Sequence, residues 1–412
     1  MVDYGFDTNP QNMPKKELMK KLGRKDIPRD FGERFEILEK LYKHGKVTLK
    51  EVSALSEVSV ETLAAYFNEK EDDLTATRTI FVAGGAGFIG SNFVRYIFNR
   101  YKNYHIINYD KLTYAGNPDN IRDIARDSRY TFIQGDISDA SVLNETFETY
   151  QPDFVINFAA ETHVGRSVFL GVKEFVNSNV MGVVHLLEAV RNYKTPRFVH
   201  ISTDETYGTL EIDDSRLFTE ESPFLPNVPY AAAKAGGDLM CRAFYQSFKV
   251  PVIVTHASNN YGAYQYPEKA IPFWTLQALN DEPLPIHGKG QHVRDWLYVE
   301  DHCRALDLVL HKGTLGQVYN IGGQSERTIL DAARLILKIL GKPRSLITFI
   351  EDRPGNDVKY ALDIKKIKNE LAWEPTHEFE KTLPRVLDWY QENPRWVKGV
   401  FNRAKQFNAY VG

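Results

Sequence analysis

Between an apolar run and a helical pattern the chain reads FVAGGAGFIGSNFV, with Gly84, Gly87 and Gly90 at three-residue intervals. Glycines at that spacing let the backbone turn tightly against a bound pyrophosphate, which then meets the positive N-terminus of the following helix. The turn constrains the fold because it makes sense only between a buried strand and a crossover helix. Asp110 closes the next apolar run, YHIINYD, roughly 20 residues past the last glycine. A carboxylate there takes the ribose hydroxyls and repels a 2′-phosphate, which favours NAD over NADP. Asp136 ends a third run, after YTFIQG, where it is expected to face the adenine.

The runs TIFVAG, YHIINYD, YTFIQGD, FVINFA, RFVHIST and VIVTHAS are short, rich in β-branched residues and separated by amphipathic stretches. That alternation predicts βαβ units and a parallel sheet covered on both faces, without period-two patterning. The expected class is α/β, a Rossmann-type doubly wound parallel sheet over residues 78–265. A smaller, mainly substrate-binding lobe is expected over residues 266–395, with short strands in PLPIHG, VYNIGG and LITFIED, and a tail over 396–412. The polar stretch EDDLTATR reads as a linker to an N-terminal helical module, residues 1–75. There VTLKEVSALSEVSVETLAAYF has helix-turn-helix spacing, with Val58 in the turn and Leu63 and Phe67 at core positions. Its last helix, VETLAAYFNE, offers no lysine or arginine to bases or phosphates, so packing or protein contacts are favoured over nucleic-acid binding.

A formal net charge of −3 over 412 residues gives no general pull toward nucleic acid or anionic membrane. Hydrophobic content of 43% and charged content of 25% suit a water-soluble globular chain without a membrane-spanning run. The N-terminal MVDYGFDTNPQNMPKKE lacks the apolar stretch of a secretory signal. Cys241 and Cys303 are too few for a disulfide framework, so reduced, buried thiols and a cytoplasmic location are expected.

STDETYG follows the fifth strand pattern, and PYAAAKAGGD opens a long helix. Tyr230 and Lys234 are one helical turn apart and share a face. An ammonium and a cationic nicotinamide both lower the phenol pKa, so the tyrosinate can take a substrate hydroxyl's proton. Thr203 is placed to hold the oxygen being oxidised. These three alone suit a dehydrogenase or an epimerase. Asp204 and Glu205 would add the acid and base that elimination of water requires. Neighbours on a strand point to opposite faces, however, so spacing leaves open whether both reach one substrate or merely cap a turn.

The segments GGAGFIGSN, NYDKLTYAGNPDN, AAETHVGRS, STDETYG, SNNYGAYQYPEKAIP, GKGQHVRDWLYVEDH, YNIGG and DRPGNDVKYALD lie within a stretch running from about Arg78 to Asn393. Over this range the chain resembles the extended short-chain dehydrogenase/reductases, and within them the dTDP-glucose 4,6-dehydratases. The resemblance implies oxidation of a nucleotide-linked glucose at C4, elimination of water across C5 and C6, and reduction at C6. In that scheme Tyr230 takes the 4-hydroxyl proton, Glu205 the C5 proton, and Asp204 protonates the departing 6-hydroxyl. It further implies that Phe88, Ile89, Ile137 and Ala159 join the glycines, Asp110, Asp136, Tyr230 and Lys234 around a retained NAD. Asn259, His287, Arg294, Asn320 and Arg353, with Thr203, would hold the nucleotide sugar, dTDP- or UDP-linked. A homodimer would form through helices around residues 170–192 and 230–249.

Where the family carries threonine, histidine, aspartate, proline, tyrosine and histidine, this chain has Ala83, Asn157, Gly165, Ala263, His287 and Asn356. None of these replaces a catalytic group, but several bear on the substrate. The competing readings are a UDP-hexose epimerase or 5,6-dehydratase of the same fold, and an NAD-sensing regulator. The intact Thr203, Asp204, Glu205, Tyr230 and Lys234 argue against the regulator.

Overall fold

The structure, a computed structural model, describes residues 77–169 and 171–400. The chain divides between Thr77 and Arg78. The helix-turn-helix expectation for residues 1–75 lies outside the described residues, as does the end of the expected tail, residues 401–412.

Seven parallel strands form the main sheet. They are β1 Arg78–Ala83, β2 Tyr104–Asp110, β3 Tyr130–Gln134, β4 Phe154–Asn157, β5 Arg197–Thr203, β6 Val252–Ala257 and β10 Val318–Ile321, in the order β10-β6-β5-β4-β1-β2-β3. The strand order reverses between β1 and β4. In open parallel sheets such a reversal leaves a crevice at the carboxyl ends of the strands, where ligands bind. β1, β5 and β6 are buried along nearly their whole length, as a sheet covered on both faces requires. β3 differs: it is one of the two edge strands, its side chains alternate in exposure, and Phe132 reaches 37% exposure.

Helices α1 Phe88–Arg100, α2 Ala140–Tyr150, α3 Val164–Phe169 and α4 Lys173–Val176 follow the first strands. A π-helical turn, Asn177–Met181, leads from α4 into α5 Gly182–Asn192, and α6 Pro229–Phe248 lies against both. Pro229 suits the first turn of α6, where its missing N–H costs nothing, and Lys249 in the left-handed region ends it. Gly237 lets the helix approach the π turn closely, because a Cβ there would lie 2.5 Å from the Asn179 carbonyl oxygen. Cys241 and Cys303 are free and buried.

The lobe contains β7 Asn259–Tyr261, β9 Val293–Tyr298 and β11 Glu326–Thr328 in one small sheet, and β8 Leu284–His287 with β12 Ile347–Ile350 in another, with α7 Ala270–Leu279 between β7 and β8. The segment VYNIGG departs from expectation. It supplies β10, which pairs with β6 as the seventh strand of the main sheet rather than building the lobe. After β9 the chain crosses back through α8 Val299–Lys312, which packs on α1. It then returns to the lobe, adding α9 Ile329–Ile339 and α11 Phe379–Glu392, while α10 Lys365–Leu371 between them packs against β10 and α8. Trp396 and Val400, which the sequence places in the tail, lie in the core, with Trp396 Nε1 donating to Asn120 Oδ1 at 2.7 Å. Among the described residues no helix is long and apolar enough to cross a membrane.

Replacing Gly237 by alanine should overpack the junction between α6 and the π turn. The expected cost is about 1–3 kcal/mol, a fall in Tm of roughly 2–10 °C, read by calorimetry.

Candidate active site

Gly84 takes a left-handed φ of +77°, and a Cβ there would lie 2.5 Å from the Ala159 backbone nitrogen. At Gly90 a Cβ would meet the Gly84 carbonyl oxygen at 2.3 Å. Only glycines allow this turn to close beneath a ligand. Gly87 caps α1 without a side-chain acceptor, and the first turn carries no acid, so its backbone N–H groups remain open to an anion. Asp110 accepts hydrogen bonds from the backbone of Ala86 at 2.9 Å and Leu112 at 2.8 Å. Burial pushes its carboxyl above the usual range, and those two bonds work against the rise. Asp136 pairs with Lys111 at 2.6 Å. Every cofactor residue expected from the sequence, from Gly84 through Lys234, lines one cavity at the sheet's switch point.

That cavity also receives Thr203, Asp204 and Glu205. The reason is a local change of backbone. β5 ends at Thr203, and Asp204–Tyr207 form a 3-10 turn that breaks the alternation of strand side chains. Thr203 Oγ1 accepts from the Glu205 backbone N–H at 3.4 Å and donates to Asp204 Oδ1 at 3.3 Å. Both carboxylates therefore sit beside Tyr230 and Lys234, which are 8% and 4% exposed.

The two carboxyls differ in what surrounds them. Burial lifts Asp204 far above the ordinary carboxylate range, and Glu205 and Asp295 push it the same way. Burial also raises Glu205, but Lys269, Arg294 and Arg353 pull it back. Of the two, Asp204 is therefore the carboxyl whose surroundings favour keeping a proton, and Glu205, with cations around it, the one whose surroundings favour the charged form. The Tyr230 phenol is raised by burial first and then by both acids, so a nearby positive charge must offset this before it can act as a base. Lys234, one turn further along the same helix and lining the same cavity, is a cation able to supply that charge, and its Nζ donates to the Ile201 carbonyl at 2.6 Å.

A second cavity opens on the lobe side and shares Glu205 and Asn259 with the first. Arg294, Arg353 and His287 line it. Asn356 Oδ1 accepts from both guanidiniums at 3.3 Å, which holds the two forks together as a diphosphate would require. Arg294 lies over the Tyr360 ring at 4.5 Å. His287 Nδ1 is 2.9 Å from the Glu351 carbonyl oxygen.

Asn320 is a correction to the sequence reading. It lines neither cavity and is fully buried, donating to the Phe218 carbonyl at 3.0 Å and accepting from Tyr207 at 2.9 Å. Its place on β10, inside the main sheet, turns it into a support for the loop after β5. Sequence reasoning gave no role to Glu268 and Lys269, which line both cavities. They precede a helix in an irregular segment without periodicity, and only their presence in YPEKAIP marked them. Asp204 Oδ2, Asn259 Oδ1, Glu268 Oε2 and His163 Nε2 are buried without hydrogen-bond partners among the described residues. Unpaired polar atoms are costly in an interior, so this wall suits a polar, hydroxyl-rich ligand.

The GDP-mannose 4,6-dehydratase family profile matches residues 81–386. The dTDP-glucose 4,6-dehydratase of Xanthomonas campestris pv. campestris is 45% identical over 354 residues, covering 81% of this chain and 99% of that protein. The Bacillus anthracis dTDP-glucose 4,6-dehydratase, solved in complex with NAD, superposes with a TM-score of 0.74 at 44% identity, covering 78% and 99% of the two chains. The Streptomyces venezuelae dTDP-glucose 4,6-dehydratase, solved with NAD and TYD bound, gives 0.74 at 42% identity, covering 77% and 98%.

Gly90→Ala should leave the phosphate turn unable to close. The purified variant is expected to retain about tenfold less dinucleotide or worse, measured in the supernatant after denaturation, since overpacking of this size costs roughly 1–3 kcal/mol.

Proposed function

This chain belongs to the dTDP-glucose 4,6-dehydratase family and is an NAD-dependent nucleotide-sugar 4,6-dehydratase, and we propose that dTDP-glucose is its substrate and the Thr203 to Lys234 cluster its catalytic centre. The observation that carries the assignment is the 3-10 turn that delivers Asp204 and Glu205 together beside Tyr230. An epimerase has no need of a buried acid and a cation-flanked base at that place. The choice of dTDP over UDP rests on the relatives at 45% and 44% identity, which act on dTDP-glucose by name.

The glycine turn, Asp110 and Asp136, with Tyr230 and Lys234, would hold NAD in the cavity they line, and the bound cofactor would supply the hydride acceptor for oxidation at sugar C4 and the hydride for reduction at C6. Tyr230 Oη takes the 4-hydroxyl proton while Thr203 holds that oxygen. The ketone at C4 acidifies C5–H, and Glu205 removes this proton. Asp204 donates its proton to the 6-hydroxyl, which leaves as water. Glu205 then returns its proton to C5 as C6 is reduced. The proton held by Tyr230 replaces the one Asp204 gave up, so sugar loses one water and the protein is unchanged. Arg294 and Arg353 bind the diphosphate.

Phe169, Val176, Met181, Leu239 and Phe248 are 43–54% exposed on or beside helices α3 to α6. These apolar side chains support a homodimer through that face, which light scattering would read as twice the chain mass.

Glu205→Gln should still reduce its bound NAD on mixing with dTDP-glucose, but fail to exchange the C5 proton or release product. Tyr230→Phe should lose both. If Glu205→Gln abolishes NAD reduction as completely, the assignment of roles is wrong. Because Asp204 acts in its protonated form, its raised pKa sets the alkaline limit of elimination. Turnover should fall as pH rises through that value, and Asp204→Asn should lower it about 10²–10⁴-fold while C4 oxidation persists. Stopped-flow absorbance with mass detection of dehydrated product separates the two steps.

A further inference from the structure

One face of α6 carries Tyr230, Lys234 and, a turn further on, Asp238. Asp238 lines neither cavity and is 4% exposed. Its surroundings are built from two strands. The parallel register sets Ser202 of β5 beside His256 of β6, so both side chains point toward α6, and His200 follows on the same face of β5. Ser202 Oγ donates to Asp238 Oδ2 at 2.7 Å, and His256 Nε2 lies 3.1 Å from the same oxygen. His200 Nε2 lies 3.5 Å from Oδ1. Beyond His256, its Nδ1 meets the Tyr207 hydroxyl at 2.6 Å, in the turn that carries Asp204 and Glu205.

We propose that Asp238 is a positioning residue for the oxidation step: its buried carboxylate ties the catalytic helix to β5 and β6 and is the counter-charge that keeps Lys234 an ammonium beside Tyr230. Among the described residues Lys234 has no carboxylate partner within ion-pair distance, and its hydrogen bond to the Ile201 carbonyl supplies no charge. Burial lowers the Lys234 pKa, and Asp238 is the foremost group working against that fall. Burial would raise Asp238 itself, yet His256, His200 and Lys234 hold it below the usual carboxylate range. The titratable groups facing Asp238 are Tyr230, Lys234 and Cys241 on its own helix, His200 on β5 and His256 on β6, with Tyr207 behind His256; its charge also pushes the Tyr230 phenol up directly. A charge fixed in this frame holds Lys234 in both place and protonation state. Without it the ammonium is left buried and unbalanced, which favours loss of its proton.

This inference rests on the reading of Tyr230 and Lys234 as the oxidising pair. The test uses the full-length protein with its bound NAD, mixed with dTDP-glucose in a single turnover and followed by reduced-nicotinamide absorbance across pH. The wild type is expected to stay fast at alkaline pH, where Tyr230 is ionised and Lys234 charged. Asp238→Asn should gain a descending alkaline limb, about tenfold or more below its own optimum at the top of the range, one pKa unit being tenfold. Asp238→Glu, which restores the charge, should remove that limb. An Asp238→Asn variant that is slower at every pH with an unaltered profile overturns the proposal.

If wild type itself reduces no NAD, the assigned reaction fails, and a melting cycle still decides on Asp238. Asp238→Asn should lower Tm markedly beside Lys234 and much less beside Lys234→Met, where no buried ammonium remains to be balanced. Equal losses in the two backgrounds overturn the proposal. Should Asp238→Asn alone fail to fold, the double variant with Lys234→Met is expected to recover folding, and its failure is equally decisive against it.

Discussion

The seating of helix α6 against β5 is the contact on which the active site depends. It fixes Tyr230 and Lys234 relative to Thr203, and through the turn after Thr203 it fixes both carboxyls. On its other flank α6 is held close to the π turn because Gly237 carries no side chain: a Cβ there would lie 2.5 Å from the Asn179 carbonyl oxygen. Reacting groups that must agree to within fractions of an ångström need supports without slack. Here those supports are a small-residue helix face, a parallel ladder and a buried hydrogen-bond cluster.

A second dependence is electrostatic. Two neighbouring carboxyls in one cavity would ordinarily behave alike. Their separation into an acid and a base comes from the distribution of cations, since Lys269, Arg294 and Arg353 all act on Glu205, whereas of these only Arg294 appears against the rise at Asp204. In the proposed function the arginines that suit a diphosphate would therefore also bias the proton chemistry of the sugar site. Substrate recognition and catalysis are coupled by charge, not only by proximity.

Much of this was legible in the chain. Gly84, Gly87, Gly90 and Asp110 dictate a phosphate turn because few other residues survive that backbone, and Tyr230 and Lys234 declare themselves by helical spacing. The shared access of Asp204 and Glu205 was not readable from spacing, since it arises from a 3-10 turn that no local propensity announces. Asn320 was misplaced for a topological reason. A linear division puts its strand in the lobe, but the chain returns to the sheet, and β10 buries its side chain under the loop after β5. Glu268 and Lys269 escaped a role because they sit where no period-two or 3.6-residue pattern exists to place them. Asp238 was within a quoted motif, yet its partners come from three separate elements that only folding brings together.

The return of β10 also bears on how such a molecule is modified. With β10 in place, β6 is paired on both sides, and every lobe strand before it is reached by leaving the sheet and every one after it by leaving again. A graft that exchanges everything past residue 265 would take the seventh strand away with the specificity elements and set a foreign strand against β6, whose own edge, if the new strand fits badly, is open to pairing with other chains. Transplants of substrate preference between relatives must therefore be cut as two internal inserts, spliced on either side of α8 and β10, rather than as a terminal cassette.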